Sequence, residues 1–164
     1  NYYHLNPNIK NVTIKAETTY FNEGLISFTI LSNTVLKNQD ASTRQQLFTL
    51  NLQNGKQIAL EDLIWFDKKN AKPENNDIMS VYEYRKNVFA PKLFSILNEL
   101  YPQQMQINDC DLNKVTTWAI PDFLLTKKGI QFSFSNSQKC NLMDWAIIPY
   151  EKLTQFFSKK FKIS

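Results

Sequence analysis

The chain has 164 residues, a formal net charge of +4 at pH 7, 43% hydrophobic and 13% aromatic residues, and three glycines. That length suits one domain able to bury a core without metal or disulfide, and the composition excludes a disordered chain. So few glycines leave no room for a Gly-rich phosphate cradle, and no stretch nears the ~20 apolar residues of a membrane-spanning helix.

Residues 1–11 read as an N-terminal tail and 12–164 as one α+β domain. The chain opens at Asn1 without Met, as a mature or trimmed chain does. Val12, Ile14 and Ala16 alternate with Thr13 and Lys15, which predicts a half-buried strand. Asn22-Glu23-Gly24 between β-rich runs predicts a hairpin. Residues 33–43 read as a polar loop. Alternation resumes over 46–52, with Phe48, Leu50 and Leu52 on one face and Leu47 and Thr49 on the other. Asn54-Gly55 predicts a tight turn and a returning strand over 56–60. Glu61 and Asp62 then open a short helical turn, where acids suit the positive end of the helix dipole. Residues 67–76 carry no periodic apolar signal and read as a loop.

Asp77 caps a helix predicted from Ile78, with Ile78, Val81, Tyr82 and Phe89 on its apolar side. Pro91 breaks or kinks this helix, or opens the next. Leu93, Ile96, Leu97 and Leu100 recur at i, i+3, i+4 and i+7, a buried stripe. A strand near 118–126, a Lys127-Lys128-Gly129 turn and a strand at 130–135 follow. After an excursion around Cys140, Trp145 to Ile148 form a further strand. Pro149 starts a short helix with Leu153, Phe156 and Phe157 inward, and the lysine-rich end at 159–162 frays. The expected whole is a twisted antiparallel sheet packed against one main helical segment, with a short C-terminal helix.

Cys110 and Cys140 are the chain's two cysteines. Pairing them closes a loop of about thirty residues, worth roughly 3–4 kcal/mol in the chain-entropy model. Two buried free thiols or one reactive thiol are the alternatives. A nucleophilic Cys needs a base, and the only histidine is His4, in the polar N-terminal segment. A disulfide places the chain in the periplasm, on the cell surface or outside the cell.

Catalytic and metal chemistry find little support. Glu61-Asp62 are adjacent and point apart on a helix, and Asp109 and Asp111 flank Cys110. Asp109-Cys110-Asp111-Leu112-Asn113 begins like a calcium loop but lacks the central Gly and the closing Glu. No metal or cofactor is expected. The pI near 9.0 would favour anionic partners. The lysines are scattered, however, with pairs at Lys68-Lys69, Lys127-Lys128 and Lys159-Lys160, which reads as a solvated surface. The run Phe156-Phe157-Ser158-Lys159-Lys160-Phe161 interleaves rings with lysines, but its spacing suits a helix burying its rings, so no nucleic acid is expected.

The run Phe48-Thr-Leu-Asn-Leu-Gln-Asn-Gly-Lys-Gln-Ile-Ala-Leu-Glu-Asp-Leu-Ile, the segment Phe123-Leu-Leu-Thr-Lys-Lys-Gly-Ile-Gln-Phe-Ser-Phe and the later Ile148-Pro-Tyr-Glu-Lys-Leu together resemble a bacterial extracytoplasmic domain. That domain occurs in RsiV-type anti-sigma factors, which sense lysozyme, and beside the deacetylase of PdaC-type enzymes. The resemblance spans roughly residues 12–157. It departs at Leu36-Lys-Asn-Gln-Asp-Ala-Ser-Thr, where the family has Gly-Ala-His-Gly. It departs again at Ser137-Gln-Lys-Cys-Asn-Leu-Met-Asp, where the family has Pro-Tyr-Ala-x-Gly.

The resemblance implies a non-enzymatic periplasmic or surface binding domain, with a lipid anchor upstream fitting the same picture. Its ligand would be a protein such as a cell-wall hydrolase or a secreted toxin, sensed or neutralised by binding. Polar loops 33–43, 66–76 and 135–144 are the expected contact surfaces. They supply Asn38, Asp40, Phe66, Lys68, Lys69, Lys139 and Asp144, and Trp65 adjoins the second of them. A rival class, an envelope enzyme or carbohydrate- or peptidoglycan-binding module, predicts a pocket where Asp109, Asp111 and Trp118 converge. A third, a structural lipoprotein module, predicts a large flat apolar patch.

Overall fold

The strands fall into two three-stranded antiparallel sheets, and a long helical rod packs with them. The computed structural model describes residues 8–37, 40–73, 77–106, 110–134, 144–161 and 163. The first sheet has the order β1 (Ile9–Phe21), β2 (Leu25–Leu36), β3 (Ser42–Asn51). Its first turn is set by Asn22, whose Oδ1 accepts from the backbone N–H of Gly24 at 2.9 Å and Leu25 at 2.8 Å. The strands run further than alternation suggested. Residues 33–36 and 42–43, expected in a loop, belong to β2 and β3 and pair through Thr34 with Ser42. The return after Asn54-Gly55 is shorter than expected: Gln57 makes one bridge to Leu50 and no strand follows. Gly55 takes φ 66, which glycine adopts without Cβ strain.

The second sheet has the order β4 (Asp122–Leu125), β5 (Gly129–Ser133), β6 (Ile147–Pro149). Residues 118–121, expected in the strand, are not: Val115–Ala119 wind as a 3-10 turn that buries Trp118 completely. The Trp118 indole N–H donates to the Leu112 carbonyl at 2.9 Å. At Gly129 a Cβ would lie 2.1 Å from the Ile148 carbonyl oxygen, so only glycine lets β5 and β6 pair this closely. Pro149 leads into α4 (Tyr150–Leu153). The chain end does not fray at once, because Phe161 and Ile163 pack against the core.

Between the sheets in sequence lie a short helix α1 (Leu60–Leu63) and the rod. The rod comprises α2 (Ile78–Tyr84), one π turn (Arg85–Phe89) and α3 (Ala90–Leu100). Asp77 caps it, accepting from the Ser80 N–H at 3.1 Å. The π turn lies just before Pro91. Pro91 lacks an N–H, and its ring crowds the carbonyl four residues back. The Ala90 N–H reaches back five residues to the Arg85 carbonyl, and this widened turn accommodates the proline. It also shifts the apolar stripe. Tyr84, Phe89, Leu93 and Leu97 are buried, whereas Ile78 (76% exposed) and Tyr82 (43%), expected on the apolar side, face solvent. A step of five residues lines up with the next steps of four only if one turn is wide.

The first sheet reverses the usual pattern. By register, Tyr20, Ser27 and Thr49 share one face, and Phe21, Ile26, Phe28, Ile30, Phe48 and Leu50 share the other. Ser27 and Thr49 are buried, and the apolar face is the outer one. Val12 (44% exposed) and Ile14 (69%), expected to be half-buried, are open to solvent. The hydroxyls are inward because they meet the edge of the second sheet. The Leu125 N–H donates to Ser27 Oγ at 3.2 Å, its carbonyl accepts from Thr19 Oγ1 at 2.7 Å, and Ser27 Oγ lies 2.6 Å from Thr49 Oγ1. A β-bulge between Thr18 and Tyr20 aims Thr19 at this edge. Buried backbone groups on an edge strand need partners, and these hydroxyls supply them.

Candidate functional site

The hydrophobic run Leu63-Ile64-Trp65-Phe66 leaves α1 extended and meets the chain's C-terminal segment. Ile64 bridges Phe157, the Trp65 N–H donates to the Phe156 carbonyl at 2.9 Å, and the Ser158 N–H donates to the Leu63 carbonyl at 3.0 Å. This pairing brings the 61–72 segment alongside residues 155–160. Between them opens a cleft of about 360 Å³, lined by Glu61, Asp62, Trp65, Lys72, Phe156 and Lys160 among others.

Aromatic packing forms the cleft's floor. Trp65 is half-buried and stacks on Tyr84 with ring centroids 3.8 Å apart, while its indole N–H donates to the Asn70 carbonyl at 3.1 Å. Phe66 stacks on Phe89 at 5.4 Å and meets Phe156 edge-on at 4.9 Å. The Tyr84 hydroxyl accepts from the Phe66 N–H at 3.0 Å, and burial pushes its pKa up to about 12.

Lys72 and Lys160 line the cleft, and two more lysines stand at its Phe156 ring. The ammonium groups of Lys68 and Lys92 lie 5.2 Å and 5.8 Å from the Phe156 ring centroid, within cation–π range. Lys68 also donates to Gln155 Oε1 at 3.0 Å. Of the cleft's two carboxylates, Asp62 pairs with Lys72. Glu61, 4% exposed, takes a two-pronged contact from Arg85 Nε and Nη2. A fork of this kind fixes both partners and neutralises the buried carboxylate. Lys68, Lys92 and Lys160 make no salt bridge to a carboxylate among the described residues. Lys160 in the cleft and Lys68 and Lys92 at the Phe156 ring therefore set positive charge beside the aromatic floor, suited to an anionic group.

Arg85 also lines a second cleft, of about 350 Å³, with Gln57, Ile120, Asp122 and Phe123. The ion pair thus forms part of the wall between the two clefts. Among the described residues, no three His, Cys, Asp or Glu side chains gather as metal ligands do.

Of the residues singled out in the sequence, Trp65 lines the first cleft and Lys68 stands at its Phe156 ring, with exposed Lys69 next in the chain. Phe66 is 8% exposed, so its ring serves the core rather than a contact surface. Asp40 is exposed at the β2–β3 turn and Asp144 is exposed before β6, so the structure does not gather these two with Trp65. Asn38 and Lys139 lie outside the described residues. Asp111 is exposed, has φ 52 and pairs with Lys114 at 2.9 Å. Trp118 is fully buried and offers no platform for a sugar, and Asp109 lies outside the described residues. Cys110 is half-buried against the core and is not a free thiol. Cys140 lies outside the described residues.

Sequence reasoning missed Lys92, Lys160, Phe156 and Arg85 as parts of one site. The doublets Lys68-Lys69 and Lys159-Lys160 were visible, but the pairing of Leu63–Trp65 with Phe156–Ser158 is what brings their two segments together. No protein-family model matches the chain, and none of the curated proteins compared with it matches either.

Proposed function

We propose that the chain is a non-enzymatic cell-envelope binding domain. It recognises a protein ligand, such as a wall hydrolase or a secreted toxin, by seating an acidic segment in the lysine-rimmed cleft beside Trp65. The observation that carries this reading is the gathering of Lys68 and Lys92 at the Phe156 ring, beside a cleft that Trp65, Phe156 and Lys160 line. Unpaired surface charge steers association, and half-buried aromatics anchor it. The carboxylates at the cleft are held by Arg85 and Lys72, an arrangement suited to fixing structure rather than moving protons.

The compartment belongs to the same proposal. Cys110 is not a free thiol, and an oxidised cysteine suits the periplasm, the cell surface or the outside of the cell. No helix among the described residues is long and apolar enough to cross a membrane. A second reading, a structural envelope module, is favoured by the open apolar face of the first sheet.

The test is capture from envelope extract and from a set of purified wall hydrolases and toxins, followed by an assay of the captured protein. We expect one of them to bind with a salt-sensitive on-rate. Lys68→Glu with Lys160→Glu should cut that rate about tenfold or more. A chain that binds none of them and itself cleaves or reshapes glycan would overturn the proposal.

A further inference from the structure

The outer face of the first sheet shares no residue with the cleft, and seating a ligand there leaves this face unused. Phe28 and Phe48 stack at its centre with ring centroids 5.2 Å apart. Ile14 and Phe21 stand 69% exposed towards its β1 side. Among the described residues, none of these four packs against the hydrophobic core. A sheet face of this kind is normally covered.

We infer that it pairs with the same face of a second copy of this chain. Charge gives the first reason. Arg44 is the one charged side chain among the register-paired positions of the face, on a chain with 21% charged residues. A partner selected by charge would find almost nothing to read here, whereas a second copy of a +4 chain meets itself without local repulsion.

Geometry gives the second. A twisted sheet is best complemented by a sheet of the same hand, packed at about −30°, and a second copy supplies one. With a two-fold axis crossing the strands at Phe28–Phe48, the two Arg44 side chains stand roughly 25 Å apart, beyond the Debye length at physiological salt.

Area gives the third. Three strands ten residues long offer roughly 500 Å² of flat surface per copy. Two copies thus reach roughly 1,000 Å² before side-chain relief is counted, which is what a specific interface requires. Pairing through the β1 edge is disfavoured instead, because Lys10 and Lys15 sit on that strand.

Sedimentation velocity from about 1 to about 200 µM tests the inference. We expect a dimer that dissociates on dilution. Ile14→Glu with Phe21→Glu should raise its dissociation constant at least about 100-fold. Both positions are exposed, so folding is not at stake, and an unchanged circular dichroism spectrum and Tm would verify that. Lys68→Glu, at the Phe156 ring beside the cleft, should leave the dimer intact, which separates this inference from the proposed ligand site. A monomer at every concentration overturns it and leaves the face to another polypeptide or to another segment of the chain. A dimer indifferent to the two glutamates also overturns it.

Discussion

In the second sheet, Ile130 and Phe132 of β5 and Ile148 of β6 are fully buried, and β5 is closed in on both faces. In the first sheet, Phe28, Ile30 and Phe48 are just as apolar and lie on the uncovered face, while Ser27 and Thr49 hold the inner positions at 0% and 2% exposure. Alternation shows that the two faces of a strand differ, but what the sheet docks on decides which one is buried. Here the docking surface is a bare strand edge, and hydroxyls satisfy it better than methyl groups do.

The contrast can be broken by mutation. Phe132→Ala, inside the second sheet, should lower unfolding free energy by about 3–5 kcal/mol in urea denaturation. A loss no larger than that of an outer-face phenylalanine would erase the distinction between the sheets. Ser27→Ala takes the acceptor from the Leu125 N–H and the hydrogen-bond partner from Thr49. It should cost about 1–3 kcal/mol although the residue is small and polar. A neutral result would mean that the seam between the sheets is not held by hydroxyls.

An alkaline titration sharpens the same point in the core. The pKa of Tyr84 is raised from 10.0 to about 12 by burial. The native state therefore holds its phenolic proton where the unfolded chain loses it. The corresponding stability is full below pH 10 and is lost as pH rises towards about 12. Tyr84→Phe should flatten that decline, though not abolish it, because burial also raises the Tyr150 pKa. Denaturation curves at a series of alkaline pH values measure the slope. The smallest effect belongs to the outer face: Phe48→Ala in the dilute protein should cost about 1 kcal/mol or less, mostly the stack on Phe28.

Much of the fold was legible because local chemistry specified it. The Asn22 turn, the Asp77 cap, the Leu93–Leu97 stripe and the Gly129 turn each carry a signal within a few residues. What escaped depended on contacts distant in sequence. The 3-10 turn at Trp118 is tied down by Leu112, and the faces of the first sheet are chosen by Leu125. The candidate site was half legible for the same reason. Trp65 and Lys68 stand in one segment, while Phe156 and Lys160 arrive from the opposite end of the chain.

The wide turn between α2 and α3 has a consequence of its own. It works as a vernier, bringing two hydrophobic rulers of the same pitch into coincidence by one additional residue. Deleting Asn87 would leave Tyr84 and Phe89 four residues apart, a spacing that an ordinary helix lines up without a wide turn. Tyr84 would stay on the core, and Arg85 would keep its place beside the buried Glu61. A single-residue deletion in this turn should therefore do less harm than one between Leu93 and Leu97, which would throw the leading half of the rod out of phase by about 100°.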